Sequence, residues 1–211
     1  MTPPDDSPDP LDVVLERSRA LGFLGPGPVA PHREHARSFL SPIGDARRVL
    51  DLGSGGGLPG LVVAWELPGV DVVLLDAMAK RCEFLIGAVR ELELDDRVEV
   101  RCGRAEELAR DPELRAAFPM VVARSFGAPA VLAECAVGFL TGPGARLLVS
   151  EPPDAAASEQ RWPSDGLAAL GLRRGALQHG HGGTIQELLV ETPVDERFPR
   201  RVGVPAKRPL F

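Results

Sequence analysis

Apolar positions along the chain repeat with two different periods, and the two alternate. Dense apolar runs of five to seven residues occur at Arg47–Leu52, Val70–Asp76, Val98–Cys102, Met120–Arg124 and Ala145–Ser150. Runs of that length, bounded by Gly, Pro or acidic residues, predict strands buried on both faces. Between them lie segments with helical spacing: Leu58–Leu67, ended by Pro68-Gly69; Met78–Leu94, with Phe84, Leu85, Val89 and Leu92 on one face; Ala105–Ala117, broken at Asp111-Pro112; and Ala128–Leu140. Strand and helix in alternation predict an α/β domain with a mostly parallel sheet covered on both sides. The pattern then changes. Leu172–Gln178 and Thr184–Glu191 are joined by a short glycine-rich connection, His179 to Gly183, which predicts a terminal antiparallel hairpin.

Before the first strand, Leu11, Val14, Leu15 and Leu21 recur at helical spacing, and His32–Leu40 suggests a second short helix stopped before Pro42. The division expected is a tail and helical leader over 1–45, a Rossmann-like domain over 46–193, and a basic tail over 194–211. Residues 1–10 are expected to be disordered. No internal repeat is visible.

At 211 residues the chain is long enough for one sizeable core. No apolar run approaches the ~20 residues needed to cross a bilayer, and the acidic, proline-rich start does not resemble a secretory signal. A cytoplasmic protein, free of membrane and monomeric, is the expectation. Cys82, Cys102 and Cys135 are odd in number and contain no CxxC pair. That argues against a disulfide framework or zinc site and for burial as small hydrophobes. The net charge of −6 is unevenly spread: Arg197, Arg200, Arg201, Lys207 and Arg208 put +5 on the last 15 residues, leaving −11 on the rest. The total disfavours a nucleic-acid binder; the tail keeps one open.

The chemistry gathers at strand ends. Val49 to Gly60 reads VLDLGSGGGLPG, a strand, a glycine loop and the start of a helix. Gly53, Gly55, Gly56 and Gly57 let the loop take positive φ and approach a ligand closely, and the free N–H groups of the helix start favour a polar or anionic ligand. Asp76 ends the second strand, 19 residues after Gly57, where a carboxylate can accept hydrogen bonds from both hydroxyls of a ribose. It is also placed to cap the next helix. Gly103-Arg104-Ala105-Glu106 follows the third strand and is placed to border an adenine. Gly55 to Gly60 matches GxGxxG, which admits either a dinucleotide or S-adenosylmethionine. Only about sixty residues follow the fifth strand, too few for a dehydrogenase substrate region, and the hairpin suits the methyltransferase sheet. His179 and His181 have metal-ligand spacing but no third ligand nearby, so no metal is expected. His32 and His35 are expected on a helix surface.

The loop DLGSGGGLPG, then LLDAMAKRCEFL, GRAEE, VVARSF and FPRRVGVPAKRPLF, in this order, resemble the RsmG (GidB) family, which methylates N7 of a guanine in bacterial 16S rRNA. The resemblance implies a class I S-adenosylmethionine methyltransferase. It implies that Gly53 and Leu58 touch the cofactor, that Ala105 and Glu106 border its adenine, and that Arg124 lies near cofactor and target. It implies RNA or the 30S subunit as partner, with Lys80, Arg81, Arg200, Arg201, Lys207 and Arg208 as candidate RNA contacts. The chain departs from the family in the leader and after strand five, where it has Ser150-Glu151-Pro152-Pro153 in place of Lys-Gly. The other readings are a divergent methyltransferase on a small molecule, a cofactor-binding protein without turnover and, more remotely, a nicotinamide oxidoreductase. No catalytic base is assigned. Guanine N7 carries a free lone pair at neutral pH, and the methyl of a sulfonium is already activated, so proximity and in-line orientation suffice.

Overall fold

A computed structural model describes residues 8–152, 159–180 and 182–211. Seven strands form one sheet: β1 (Arg48–Leu52), β2 (Asp71–Asp76), β3 (Val98–Cys102), β4 (Met120–Ala123), β5 (Arg146–Glu151), β6 (Leu172–His179) and β7 (Thr184–Val190). Their order is β3-β2-β1-β4-β5-β7-β6. The first five run parallel, with Leu50 paired to Val73 of β2 and Val121 of β4. β7 joins β5 antiparallel and β6 closes the hairpin. Each predicted strand is present to within a residue at either end.

Because β side chains alternate between faces, β1, β2, β4, β5 and β7 each feed two cores; β3, expected to be buried on both faces, is an edge strand with Val98 buried and Glu99 exposed. Val49, Val72, Leu74, Met120, Val122 and Leu148 face α1 (Pro10–Ala20), α2 (Val29–Arg37), α4 (Gly60–Glu66) and α5 (Ala79–Glu91). Leu50, Leu52, Val73, Leu75, Val121, Ala123, Leu147 and Val149 face α7 (Pro129–Val137), with Trp162, Leu167 and Phe198 packed alongside. α3 (Leu40–Ile43) and α6 (Ala105–Leu108) are single turns. Each fully buried Leu or Val contributes about 1.5–3 kcal/mol, so both cores depend on the inner strands being buried on both faces.

Four expectations are revised. The second leader helix begins at Val29 rather than His32, because Pro31 falls in its first turn, where a missing N–H costs nothing. Pro42 lies inside α3 for the same reason. The broken helix after β3 keeps only α6, since Asp111 folds back to accept from the Glu113 N–H at 2.9 Å. Of the cysteines, only Cys135 remains a small buried hydrophobe, its thiol pushed up to about 12 by burial and the nearby Glu106 and Glu134. Cys82 and Cys102 form a disulfide. The parallel register sets Cys102 beside Asp76, and the first turn of α5 brings Cys82 back over it, a proximity that 20 residues of separation do not reveal.

The leader and the tail both pack on the domain. Ser18, fully buried on α1, donates to the Gly56 carbonyl at 2.9 Å. Asp9, in the stretch expected to be disordered, accepts from the Leu11 N–H at the start of α1. In the tail, Phe198 enters the core, Arg115 donates to its carbonyl at 3.1 Å, and Arg110 donates to the Pro199 carbonyl. A helical turn, Val204–Lys207, follows. Among the described residues no helix is long and apolar enough to cross a membrane.

Candidate active site

The strand order reverses between β1 and β4, and the loops after these strands flank the crevice where open α/β sheets bind ligands. After β1, Gly53 and Ser54 donate their N–H groups to the Leu75 carbonyl at 2.8 and 2.9 Å, which ties the glycine loop to the end of β2. Gly53, Gly55 and Gly57 have φ of 79°, 56° and 101°. A Cβ on Gly53 would lie 2.6 Å from the Phe126 ring, and one on Gly56 2.4 Å from Ser18 Oγ. The loop therefore needs glycine both for its backbone and for its neighbours. Leu58-Pro59 is a cis peptide bond, and α4 begins at Gly60 rather than at Leu58.

Asp51, fully buried in β1, accepts from the Gly60 N–H at 2.9 Å, while its other oxygen has no partner. Burial pushes its carboxyl up to about 7, against the opposing hydrogen bond from Gly60, while the Ser54 hydroxyl donates to the Asp51 backbone carbonyl at 3.0 Å.

Asp76 holds the centre. It accepts from the Gly55 N–H at 2.9 Å through one oxygen and from the Met78 N–H at 2.8 Å through the other, with the Arg81 guanidinium 3.6 Å away. The capping reading of Asp76 and its site reading are thus both realised, since a carboxylate has about four acceptor sites. A cavity of about 540 Å³ opens in front of it, bounded by Gly53, Asp76, Gly103, Ala105, Glu106 and Phe126. Adjoining it through Gly53, Arg81 and Ser125 is a second cavity of about 280 Å³, walled by Leu58, Arg124 and the leader residues Phe23, Leu24 and His32. The predicted Gly53, Gly55, Leu58, Asp76, Ala105, Glu106 and Arg124 all line one cavity or the other. Gly57 lies behind the loop, its Cα facing Leu61, and serves its conformation.

Glu106 has structural partners as well. It accepts from the Gly203 N–H at 3.0 Å and from Arg104 at 3.2 Å. Burial works to raise its pKa, but these donors outweigh it and hold the carboxyl below the ordinary range. Through this contact the tail becomes a wall of the large cavity, at Ala206.

Arg124 is held by the leader. It donates to the His32 carbonyl at 3.1 Å and to His32 Nδ1 at 2.8 Å. The accepting Nδ1 puts the ring proton on Nε2, which lies 3.2 Å from the carbonyls of Gly25 and Pro26. Burial lowers the Arg124 pKa and Asp51 partly offsets this; the group remains a cation. His35, expected on a surface, is half-buried and shares a 2.6 Å hydrogen bond with Ser150, its pKa lowered first by burial and then by Arg124 and His32. Ser125 has φ 57°, a strained conformation for a non-glycine residue, and touches both cavities.

The basic candidates separate. Arg200 is turned inward onto the buried Glu134 of α7, with two side-chain hydrogen bonds of 2.8 and 2.6 Å. Lys80, Arg201, Lys207 and Arg208 are exposed, and Arg81 sits at the cavity rim. His179 shares a 3.1 Å hydrogen bond with Thr184; His181 lies outside the described residues. Sequence reasoning missed Phe23, Leu24, His32, Ser125, Phe126 and Ala206 as site walls. Ser125 and Phe126 stood within the VVARSF motif and Ala206 within FPRRVGVPAKRPLF, where a signal lay; for the leader residues there was no local signal.

A parallel sheet with a terminal antiparallel hairpin, a glycine loop after β1 and an acid after β2 define a class I S-adenosylmethionine methyltransferase fold. Solved structures agree in fold. An O-methyltransferase from Bacillus cereus in complex with SAH superposes with a TM-score of 0.62 at 20% identity, covering 87% of this chain and 92% of that one. TomG from Streptomyces achromogenes, in complex with SAM, gives 0.60 at 20% identity over 88% and 91%. The particular family follows from sequence: residues 36–159 match the GidB family, rRNA small subunit methyltransferase G. A ribosomal RNA small subunit methyltransferase G from Symbiobacterium thermophilum is 35% identical over 95% of this chain and 87% of its own length. One from a Synechococcus species is 35% identical over 78% of this chain and 66% of its own length. The chain belongs to the RsmG family. Membership makes it a methyltransferase, and its fold is that of the enzymes that take the methyl group from S-adenosylmethionine.

Proposed function

We propose that the 540 Å³ cavity holds S-adenosylmethionine and that the adjoining cavity receives a guanine of small-subunit rRNA for methylation at N7. The observation that carries this reading is the placement of Asp76 between the glycine loop and the Gly103–Glu106 wall, its carboxylate bordering the cavity. That acceptor suits the two hydroxyls of a ribose. The backbone of Ala105 and the apolar faces of Met78 and Val131 suit an adenine, and the Gly53–Gly56 backbone suits the methionine part. The bound cofactor supplies a methyl group already activated as a sulfonium.

The chain's own residues then need only bind, orient and exclude water. Arg124, fixed by His32, sets a cation beside the acceptor cavity, where it can donate to the oxygen of a guanine while N7 keeps its lone pair. Phe23 and Leu24 give that cavity an apolar wall. With no proton removed before attack, the chemistry needs no paired His and Asp. Lys80, Arg81, Arg201, Lys207 and Arg208 are the basic groups left for RNA phosphates; Arg200 serves the fold. A cytoplasmic, monomeric enzyme acting on the 30S subunit accords with this reading.

Calorimetry with S-adenosylmethionine and transfer of labelled methyl to 30S subunits, naked 16S rRNA and a metabolite pool test it. Asp76→Ala should weaken the cofactor about 10- to 100-fold, the worth of one to two charge-assisted hydrogen bonds. Label should appear in rRNA at guanine N7. Unchanged affinity removes Asp76 from the site; label confined to small molecules assigns a different acceptor; tight binding without any transfer leaves a binding protein.

A further inference from the structure

The Cys82–Cys102 disulfide joins the residues next to Arg81 and Gly103, which line the candidate cofactor cavity, and the reaction proposed for that cavity does not use it. Cys102 pairs in register with Asp76 and immediately precedes Gly103 and Arg104, which line the cavity. Cys82 follows Arg81, another lining residue, one turn into α5. The bond thus joins the two walls on either side of Asp76. The two residues it joins differ in access: Cys82 is 3% exposed, whereas Cys102 is exposed. The Cys82 sulfur also lies 3.3 Å from the Asp76 carbonyl oxygen. On reduction its S–H has an acceptor waiting, so neither redox state leaves an unsatisfied buried group.

We propose that Cys82 and Cys102 are a reversible thiol–disulfide site that sets cofactor affinity, tight when oxidised and weaker when reduced; this rests on the cofactor lying in the adjoining cavity. A small dithiol attacks the exposed Cys102 sulfur, the S–S bond breaks, and Cys82 leaves as a thiolate that takes up a proton. The second thiol of the reductant then displaces Cys102 as its thiol. Two electrons and two protons pass to the protein, and the reductant becomes a cyclic disulfide. Oxidised glutathione reverses the exchange, leaving two reduced glutathiones. Release of the bond frees the first turn of α5, and with it Met78 and Arg81, from the end of β3.

The full chain, equilibrated with dithiothreitol or with oxidised glutathione, is assayed by free-thiol counting, peptide mass spectrometry and S-adenosylmethionine calorimetry. We expect one free thiol after oxidation and three after reduction, with Kd about fivefold higher in the reduced protein. Cys102→Ser, at an exposed position, should bind like the reduced protein under both conditions. Asp76→Asn reports on the site itself. If no Cys82–Cys102 bond forms under oxidation, the proposal fails. It also fails if the bond forms and Kd is unchanged while Asp76→Asn still weakens binding. If Asp76→Asn has no effect either, the cofactor site is misplaced and the coupling falls with it.

Discussion

Arg200 gives the sharpest test of how this fold is held together. It lies in the basic tail, yet its guanidinium is spent on Glu134, which is fully buried on α7. Glu134 accepts from Arg200 Nε at 2.8 Å, from Nη2 at 2.6 Å and from the Arg200 backbone N–H at 2.8 Å. Nη2 also donates to the Arg208 carbonyl at 2.7 Å. In Arg200→Ala the backbone hydrogen bond survives, but a carboxylate in apolar surroundings loses both side-chain bonds and its counter-charge. Removing one partner of a buried pair costs about 3–5 kcal/mol. The remaining N–H, and the 26% exposure of the Arg200 side chain, place this case near the lower end, about 3 kcal/mol. For a domain of this size that lowers Tm by roughly 6–12 °C. Urea unfolding of the wild type, Arg200→Ala, Glu134→Leu and the double variant measures it. The double variant should recover part of the loss, since with Glu134 replaced by Leu no unpaired carboxylate is left buried. A loss under about 1 kcal/mol would refute the reasoning and class the pair with exposed salt bridges. So would a variant of wild-type stability whose RNA activity becomes steeply salt-dependent, the signature of a lost phosphate contact.

Other consequences are as direct. Gly60→Ala should destabilise by about 1–3 kcal/mol, because its Cβ would lie 2.3 Å from Leu74 Cδ2 and 2.5 Å from Asp51 Oδ2; wild-type stability in urea would contradict this packing. Asp51, with its pKa raised to about 7 in the fold, makes the native state bind more protons than the unfolded chain between about pH 4 and 7. Its contribution is therefore fully present below about pH 4 and lost as pH rises through about 7. Asp51→Asn does not titrate, so it should gain on the wild type by a few kcal/mol between about pH 4 and 8, each tenfold difference in proton affinity being worth about 1.4 kcal/mol; parallel stability profiles would refute the assignment. His32→Ala removes the ring that holds Arg124, so methyl transfer should fall about tenfold, worth ~1.4 kcal/mol, with cofactor affinity unchanged in calorimetry. An equal loss in both would place His32 in the cofactor site instead.

The sequence by itself determined the sheet. Strands with no polar face must be covered on both sides, and Val49 to Leu52, Val72 to Leu75 and Met120 to Ala123 have none, so the parallel core and its helices follow from local pattern. The glycine loop and Asp76 were equally legible, because backbone freedom and a carboxylate at a strand end are local requirements of the site. Tertiary structure decided what depends on distant pairs. Glu106 was legible as a site wall but not as the acceptor of the Gly203 N–H, 97 residues away. Arg124 was legible as a strand-end cation but not as one fixed by His32, 92 residues before it. Cys82 and Cys102 looked like separate hydrophobes until the β2–β3 register and the first turn of α5 brought them together. Arg200 reads in sequence as a candidate RNA contact, and only the folding of the tail back over α7 shows it bound to Glu134. A residue's type states what it can bond to; the closure of long loops states which partner it meets, and no local pattern carries that information.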